Sequence, residues 1–349
     1  MRAAVLRDGK LLVREDVPEP VPGFGQVLVE VAACGICGSD LHFAKHGKSM
    51  MDLSKEMKGT PDMGVQEELD FSKDVFMGHE FSARVLDVGP ETVGPAPGTV
   101  VTSIPILLSM SGVQPIVYSN SVLGGYAEKM LLSAPMLVEV PNGLDPRHAA
   151  LTEPMAVGLH AVNRSEIDKG TGALVLGCGP VGLAVIAALK VRGIEPIVAS
   201  DLSPARRALA ITMGAHEAVD PRDEPAFDAW SRIGGAKPLV VFEAIGVPGI
   251  IDSALQSAPP RSKIVVVGVC MERDTITPFF GIGKELDVRF CLGYDPMEFN
   301  QSLQSIAEGA IDVVPMITGE VGIDGVAGAF DALGNPDEHC KILVVPTPS

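Results

Sequence analysis

The stretch from Ala173 to Asp201, ALVLGCGPVGLAVIAALKVRGIEPIVASD, limits what the chain can fold into more than any other. Leu174, Val175 and Leu176 read as a buried parallel strand that ends in Gly177-Cys178-Gly179-Pro180-Val181-Gly182. A long apolar helical pattern runs from Val181 to about Arg192, and a second apolar strand, Ile197 to Ala199, then delivers Asp201. In this order each glycine has a task. Gly177 permits a tight turn, Gly179 lets the backbone approach a pyrophosphate, and Gly182 lets the helix pack close to the strand. Pro180 and Val181 open the helix, whose free N–H groups and positive dipole end suit a phosphate. Asp201 stands near the offset of an acid that binds a ribose 2′-hydroxyl. Glycine-rich turns occur in many folds, but strand, turn, helix and acid in this order point to a dinucleotide site. The carboxylate favours NAD over NADP because it repels a 2′-phosphate; Arg206, with Arg207 beside it, partly offsets that repulsion.

A chain of 349 residues predicts two domains, each large enough for its own core. The net charge of −17 argues against nucleic acid and against anionic membrane surfaces as partners. No apolar run approaches the roughly 20 residues that span a bilayer. The opening MRAAVLRDGKLLVRED lacks the apolar core of a signal peptide and reads as strand, glycine turn, strand. Six cysteines show no framework spacing beyond one CxxC, so a reduced, cytoplasmic setting is expected.

Residues 1 to about 140 are rich in strand signals: QVLVEVAAC with Val27, Val29 and Val31 alternating, then FSARVLDVG, TVVTS, GGYAEKMLL and MLVEV. Strands without long intervening helices predict an antiparallel, barrel-like domain. A helix pattern from Pro146 to about Arg164 leads into the glycine stretch. From 173 to about 293, six strand candidates (173–177, 197–200, 216–219, 239–243, 263–268, 287–292) alternate with helices, the signature of a doubly wound parallel sheet. Helical segments at about 296–308 and 323–333 and a strand from Lys341 to Val345 follow. That last strand has no place in a completed six-strand sheet, so the C-terminus is expected to return to the first domain.

Three further clusters carry chemistry: Cys34-Gly-Ile-Cys37-Gly-Ser39-Asp40-Leu-His42, Gly78-His79-Glu80, and Leu151-Thr-Glu153-Pro-Met. Thiolate, imidazole and carboxylate together can bind Zn²⁺ and leave a position open for water or substrate. Each cluster also has a plain structural reading. A CxxC is compatible with two buried thiols, a His-Glu pair at a strand start is often structural, and an acid at a helix start complements the dipole. Their joint appearance upstream of a dinucleotide fingerprint favours a metal.

CGICGSDLH, GHEFS, the TEPMAVGLHAV helix and GCGPVG with its downstream acid together resemble the zinc-dependent medium-chain dehydrogenase/reductase family, in its sorbitol and 2,3-butanediol dehydrogenase branch. The resemblance covers nearly the whole chain. It implies an α/β architecture: a GroES-like β-barrel catalytic domain built from both chain ends, with a six-stranded Rossmann domain inserted. The expected bounds are 1–157, 158–296 and 297–349. It implies that Cys37, His79 and Glu80 bind one catalytic zinc and that Glu153 either binds the metal or holds its water. It implies that Asp40 orients the histidine, that Ser39 lies beside the substrate oxygen, and that His42 ends a proton relay. Cys34 matches a small buried residue rather than a ligand. Gly177, Gly179, Pro180, Val181, Gly182, Asp201 and Arg206 fall where the family holds NAD.

One departure from the family and one unusual segment stand out. Many members carry a four-cysteine lobe for a structural zinc, yet the corresponding interval, TSIPILLSMSGVQPIVYSNSVLG, contains no cysteine, so no structural zinc is expected. Packing by Ile104, Ile106, Leu107 and Leu108 is the candidate replacement. The segment from Phe43 to Phe76, followed directly by Met77, is long and holds Met50, Met51, Met57 and Met63. It reads either as a flexible wall or lid over the substrate or as a mobile surface excursion.

The resemblance implies reversible oxidation of a secondary alcohol, diol or polyol to a ketone by a homodimer or homotetramer. Ile104 to Met110 and Phe279-Phe280 are candidate walls for a less polar substrate. Rival readings are a zinc-independent quinone or enoyl reductase of the same superfamily and a non-catalytic NAD- or metal-sensing protein.

Overall fold

The computed structural model describes residues 1–56, 68–110 and 112–346. The chain divides into two compact units: Met1–Glu153 with Ile317–Asn335 and Lys341–Ser349, and Pro154–Met316 with Pro336–Cys340.

The first unit is built on strands. Ala3–Arg7 and Lys10–Arg14 form an antiparallel hairpin, and Asp8 and Gly9 take the positive φ of 49° and 73° that a two-residue turn needs. A seven-stranded sheet orders Leu137–Glu139, Val100–Ser103, Glu80–Val88, Gln26–Gly35, Lys341–Val344 and Ile317–Val321, with Lys129–Ser133 also paired to Gln26–Gly35. Val27, Val29 and Val31 are fully buried, as their alternation requires on a pleated strand with one core face. Most pairs are antiparallel, but Ile317–Val321 and Lys341–Val344 run parallel. Lys341–Val344 pairs with the end of Gln26–Gly35, which is the return of the C-terminus to the first unit.

The cysteine-free interval holds a hairpin, Ile106–Ser109 with Gly112–Pro115. Ser133 Oγ accepts from Leu108 N at 2.7 Å and donates to the Ile106 carbonyl, Gln26 Nε2 donates to the Leu108 carbonyl, and Leu107 is buried in the core. Polar ties therefore join the buried Leu107 in bracing this lobe, while Ile104, Ile106 and Leu108 are only half-buried.

The segment expected to be a loop from Phe43 onward is helical to Glu56, in a helix Gly38–Glu56 kinked at His46. Asp40, Phe43 and Gly47 are buried along it, and Met50 and Met51 pack on the core, so its inward face repeats at three- and four-residue spacing. A Cβ at Gly47 would lie 2.9 Å from Phe71. The scattered lysines and serines masked this stripe in the sequence. Met57 and Met63 lie outside the described residues.

The second unit holds a six-stranded all-parallel sheet in the order Glu217–Val219, Ile197–Ser200, Gly172–Leu176, Leu239–Glu243, Lys263–Val266, Asp287–Phe290. Numbered along the chain this is 3-2-1-4-5-6, the doubly wound order of a Rossmann fold. The helix Pro296–Ala307, which the sequence reading assigned to the C-terminal return, belongs to this unit instead. Glu298 closes a capping box with Asp295 and also bonds His160 Nδ1 at 2.8 Å and Asn163 Nδ2 at 2.7 Å. Those ties hold the helix to this unit, and the return begins at Ile317. No helix among the described residues is long and apolar enough to cross a membrane.

Candidate metal centre and dinucleotide cradle

Gln26–Gly35 ends one residue before Ile36, and Cys37 follows at the start of the helix Gly38–Glu56. The neighbouring strand opens with Glu80, directly after His79, and pairs Gly35 with Glu80. This register brings Cys37, His79 and Glu80 together, with one ligand atom of each within 4.8 Å of the others. Gly35 makes room: a Cβ there would sit 2.2 Å from Glu80 Oε2.

The buried polar atoms around this set test whether it fits a metal. Asp40 is fully buried; its Oδ2 accepts from Tyr126 Oη at 2.6 Å and from Cys37 N at 3.2 Å. Asp40 Oδ1 and His79 Nδ1 have no hydrogen-bond partner and face each other at 3.6 Å. With Nδ1 turned to a carboxylate, the other ring nitrogen is the one available to a metal, the arrangement that orients a ligating histidine. Burial pulls the His79 pKa down, but the charges of Asp40 and Cys37 outweigh it and hold it well above its ordinary value. Burial, then Glu80, pushes the Cys37 thiol up against the opposing pull of His79. A thiol must lose its proton to ligate, so metal affinity at such a set depends on pH. A thiolate, an imidazole and a carboxylate suit Zn²⁺.

Glu80 has a second partner that the sequence did not reveal. Lys341 Nζ donates to both of its carboxylate oxygens, at 2.8 and 2.6 Å, and to the Ile36 carbonyl at 3.0 Å. Both side chains are buried, at 0% and 1% exposure. The one available signal was a lysine at the head of the apolar run KILVV. Glu153 stands outside the three-residue set, half-buried, and its charge helps raise His79. Cys34 is buried among the core residues, and a Cβ on Gly125 would meet its Sγ at 2.5 Å. Ser39 is half-buried in the first turn of the helix, and His42 is exposed three residues on. Partial burial, with His46 and Lys45, pushes the His42 pKa down. Of the suggested substrate walls, Leu107 is in the core, whereas Met110 and Phe279 are exposed.

In the second unit the glycine turn has the shape its sequence implies. Gly177 has φ +91°, and a Cβ on Gly182 would sit 1.9 Å from the Gly177 carbonyl oxygen. A Cβ on Gly179 would meet only Arg206 Nη1 at 3.9 Å, so the backbone is open there for a phosphate. Gly179 is also the N-cap of the helix Pro180–Arg192, with Pro180 in its first turn and Val181 directly after it. Asp201 closes the turn: Oδ2 accepts from Cys178 N at 2.7 Å and Oδ1 from Ser203 N at 2.8 Å. A carboxylate has further lone pairs to offer a ribose. Arg206 Nε is buried without a partner, while Arg207 bonds Asp220 and the Asp201 carbonyl.

Fold and donor set together define a class, dehydrogenases that pair a metal ion with a nicotinamide cofactor. Residues 23–142 match the alcohol dehydrogenase GroES-like domain, and residues 180–308 match the zinc-binding dehydrogenase family. The chain belongs to the zinc-binding alcohol dehydrogenase family. It is 33% identical to an (R,R)-butanediol dehydrogenase of Bacillus subtilis (strain 168), over 99% of this chain and 100% of that one. It is 26% identical to a sorbitol dehydrogenase of the same organism, over 99% and 97%. The crystal structure of 2R,3R-butanediol dehydrogenase from Bacillus subtilis superposes with a TM-score of 0.82 at 31% identity, covering 99% of each chain. A Sinorhizobium meliloti 1021 protein described as a zinc-binding dehydrogenase, solved with NADP, superposes at 0.80 with 30% identity and the same coverage.

Proposed function

We propose that the protein catalyses the reversible oxidation of a secondary alcohol, diol or polyol to a ketone, with NAD as the hydride acceptor. The observation that carries this reading is the Cys37–His79–Glu80 set, with His79 and Glu80 buried and Cys37 half-buried, and Ser39 two residues from Cys37. When bound, zinc would act as a Lewis acid that lowers the alcohol's pKa, and NAD would accept the hydride. Cys37, His79 and Glu80 would hold the ion, with Glu153 as the candidate for a further ligand or a water partner. Asp40 fixes the His79 ring from behind. Ser39 Oγ takes the alcohol proton and passes it outward. His42, one turn along the same helix and exposed, is where the proton leaves.

Asp201 supports NAD, although the NADP-bound relative makes both cofactors necessary in any assay. The similarity to butanediol and sorbitol dehydrogenases supports a diol or polyol. A homodimer or homotetramer is the working assembly. The test is Cys37→Ser. It should lose zinc and alcohol-dependent reduction of NAD while keeping NAD affinity within about threefold, about 0.6 kcal/mol. Full activity in that variant would end the assignment.

A further inference from the structure

We infer that the Tyr118 hydroxyl binds a second oxygen of the substrate, adjacent to the reacting one, so that vicinal diols and hydroxyketones are preferred over plain secondary alcohols. The inference rests on the dehydrogenase reading above.

Tyr118 follows the cysteine-free lobe, and its backbone is pinned by its neighbour: Ser119 and Phe76 exchange hydrogen bonds at 2.8 and 3.2 Å. Its ring lies flat on Phe43, with centroids 3.7 Å apart and planes 4° apart, and Phe43 in turn stacks against Phe71 at 5.7 Å. Phe43 belongs to the same helix as Ser39 and Asp40, one turn on. The ring is thus clamped from the helix that carries the proposed proton acceptor.

The phenol oxygen is buried and has no hydrogen-bond partner. Its surroundings are those of the metal centre. Burial holds its pKa well above the ordinary value, Asp40 and Cys37 add to the rise, and the Ser39 side chain opposes it. Ser39 is close enough to act on the phenol, but the pair does not reach hydrogen-bond geometry. A buried hydroxyl without a partner is costly, and a clamped ring cannot turn to water to find one. Asp40 Oδ1 and His79 Nδ1, also unpartnered, face each other; the group that acts on the Tyr118 phenol is the Ser39 hydroxyl, which the reacting oxygen also needs. It stays a neutral phenol, able both to donate and to accept. The reacting oxygen already has Ser39 and the metal ligands around it. What the phenol can serve is a neighbouring oxygen on the carbon chain, which a diol or hydroxyketone has and a plain alcohol lacks. A site built around such a bond rejects the analogue without it.

The test uses zinc-loaded protein with NAD, butane-2,3-diol and butan-2-ol, in wild type and Tyr118→Phe. Removing one oxygen keeps the ring and its stack on Phe43, and zinc content with thermal unfolding checks that the variant is intact. Wild type should prefer the diol. The substitution should lower kcat/KM for the diol about tenfold, mostly through KM, and leave butan-2-ol within twofold. Diol binding to the zinc- and NADH-loaded protein, followed by nicotinamide fluorescence, should weaken by a similar factor. A wild type without preference for the diol, or a variant that changes both alcohols equally or neither, overturns the inference and leaves the dehydrogenase reading standing. A wild type that oxidises neither alcohol nor any polyol overturns both.

Discussion

Replacing Lys341 by Met should destabilise the first unit by about 3–5 kcal/mol, the cost of leaving one partner of a buried ion pair behind. The ammonium lies 2.6 Å from the nearer Glu80 oxygen with both side chains out of water. At an effective dielectric constant of about 20 the gross attraction at that distance is roughly 6 kcal/mol. Desolvation of both groups offsets much of this while the pair is intact, but Met removes the attraction and leaves the Glu80 carboxylate and the Ile36 carbonyl buried. Denaturant unfolding of metal-depleted protein, followed by circular dichroism, reads the loss. Fluorescence of Trp230, the single tryptophan, reports on the second unit and serves as reference. Adding Glu80→Gln to Lys341→Met removes the stranded charge and should recover about 2 kcal/mol of the loss. Zinc, as a replacement counter-charge, should stabilise the Lys341→Met variant more than it stabilises wild type. A single variant within about 1 kcal/mol of wild type, or a double variant no better than the single, would refute the argument.

Two further predictions concern the second unit. Arg222, foremost through a side-chain hydrogen bond, holds the Asp220 carboxyl well below the usual carboxylate range. A depressed folded-state pKa contributes stability above the unfolded value, near 3.9, that is lost as pH falls through the folded value. The advantage of wild type over Asp220→Asn should therefore be full at neutral pH and shrink below about pH 4. A gap in Trp230-monitored unfolding that does not change with pH would contradict this. Gly182→Ala forces a methyl to within 1.9 Å of the Gly177 carbonyl oxygen and should cost about 1–3 kcal/mol or more along with NAD affinity. Gly179→Ala, with open space, should keep stability and lose NAD affinity alone, as calorimetric titration would show.

The parts of this molecule written in local pattern are legible in its sequence. The alternation of Val27, Val29 and Val31, the Asp8-Gly9 turn and the six strands of the parallel sheet each depend on neighbours a few residues away. Cys37, His79 and Glu80 were named from short motifs, and strand register brings them together. What stayed hidden depends on distance along the chain or on packing. Lys341 reaches Glu80 across 261 residues, and no local rule pairs them. The helix after Ser39 is apolar only on the face that meets Phe71, so its polar letters read as a loop. Tyr118 was one of three tyrosines, and only its stack on Phe43 and its lack of a partner single it out.

The strand Lys341–Val344, which completes the sheet begun by Gln26–Gly35, also sets an order of events during synthesis. As the chain leaves the ribosome, the parallel sheet of the second unit has all its strands by Phe290, whereas the first unit still lacks two strands and the cation that neutralises Glu80. Until those last residues emerge, the carboxylate waits without its ammonium. A nascent chain stalled before Lys341 should therefore bind dinucleotide while its first unit stays open to proteases, and metal should enter last.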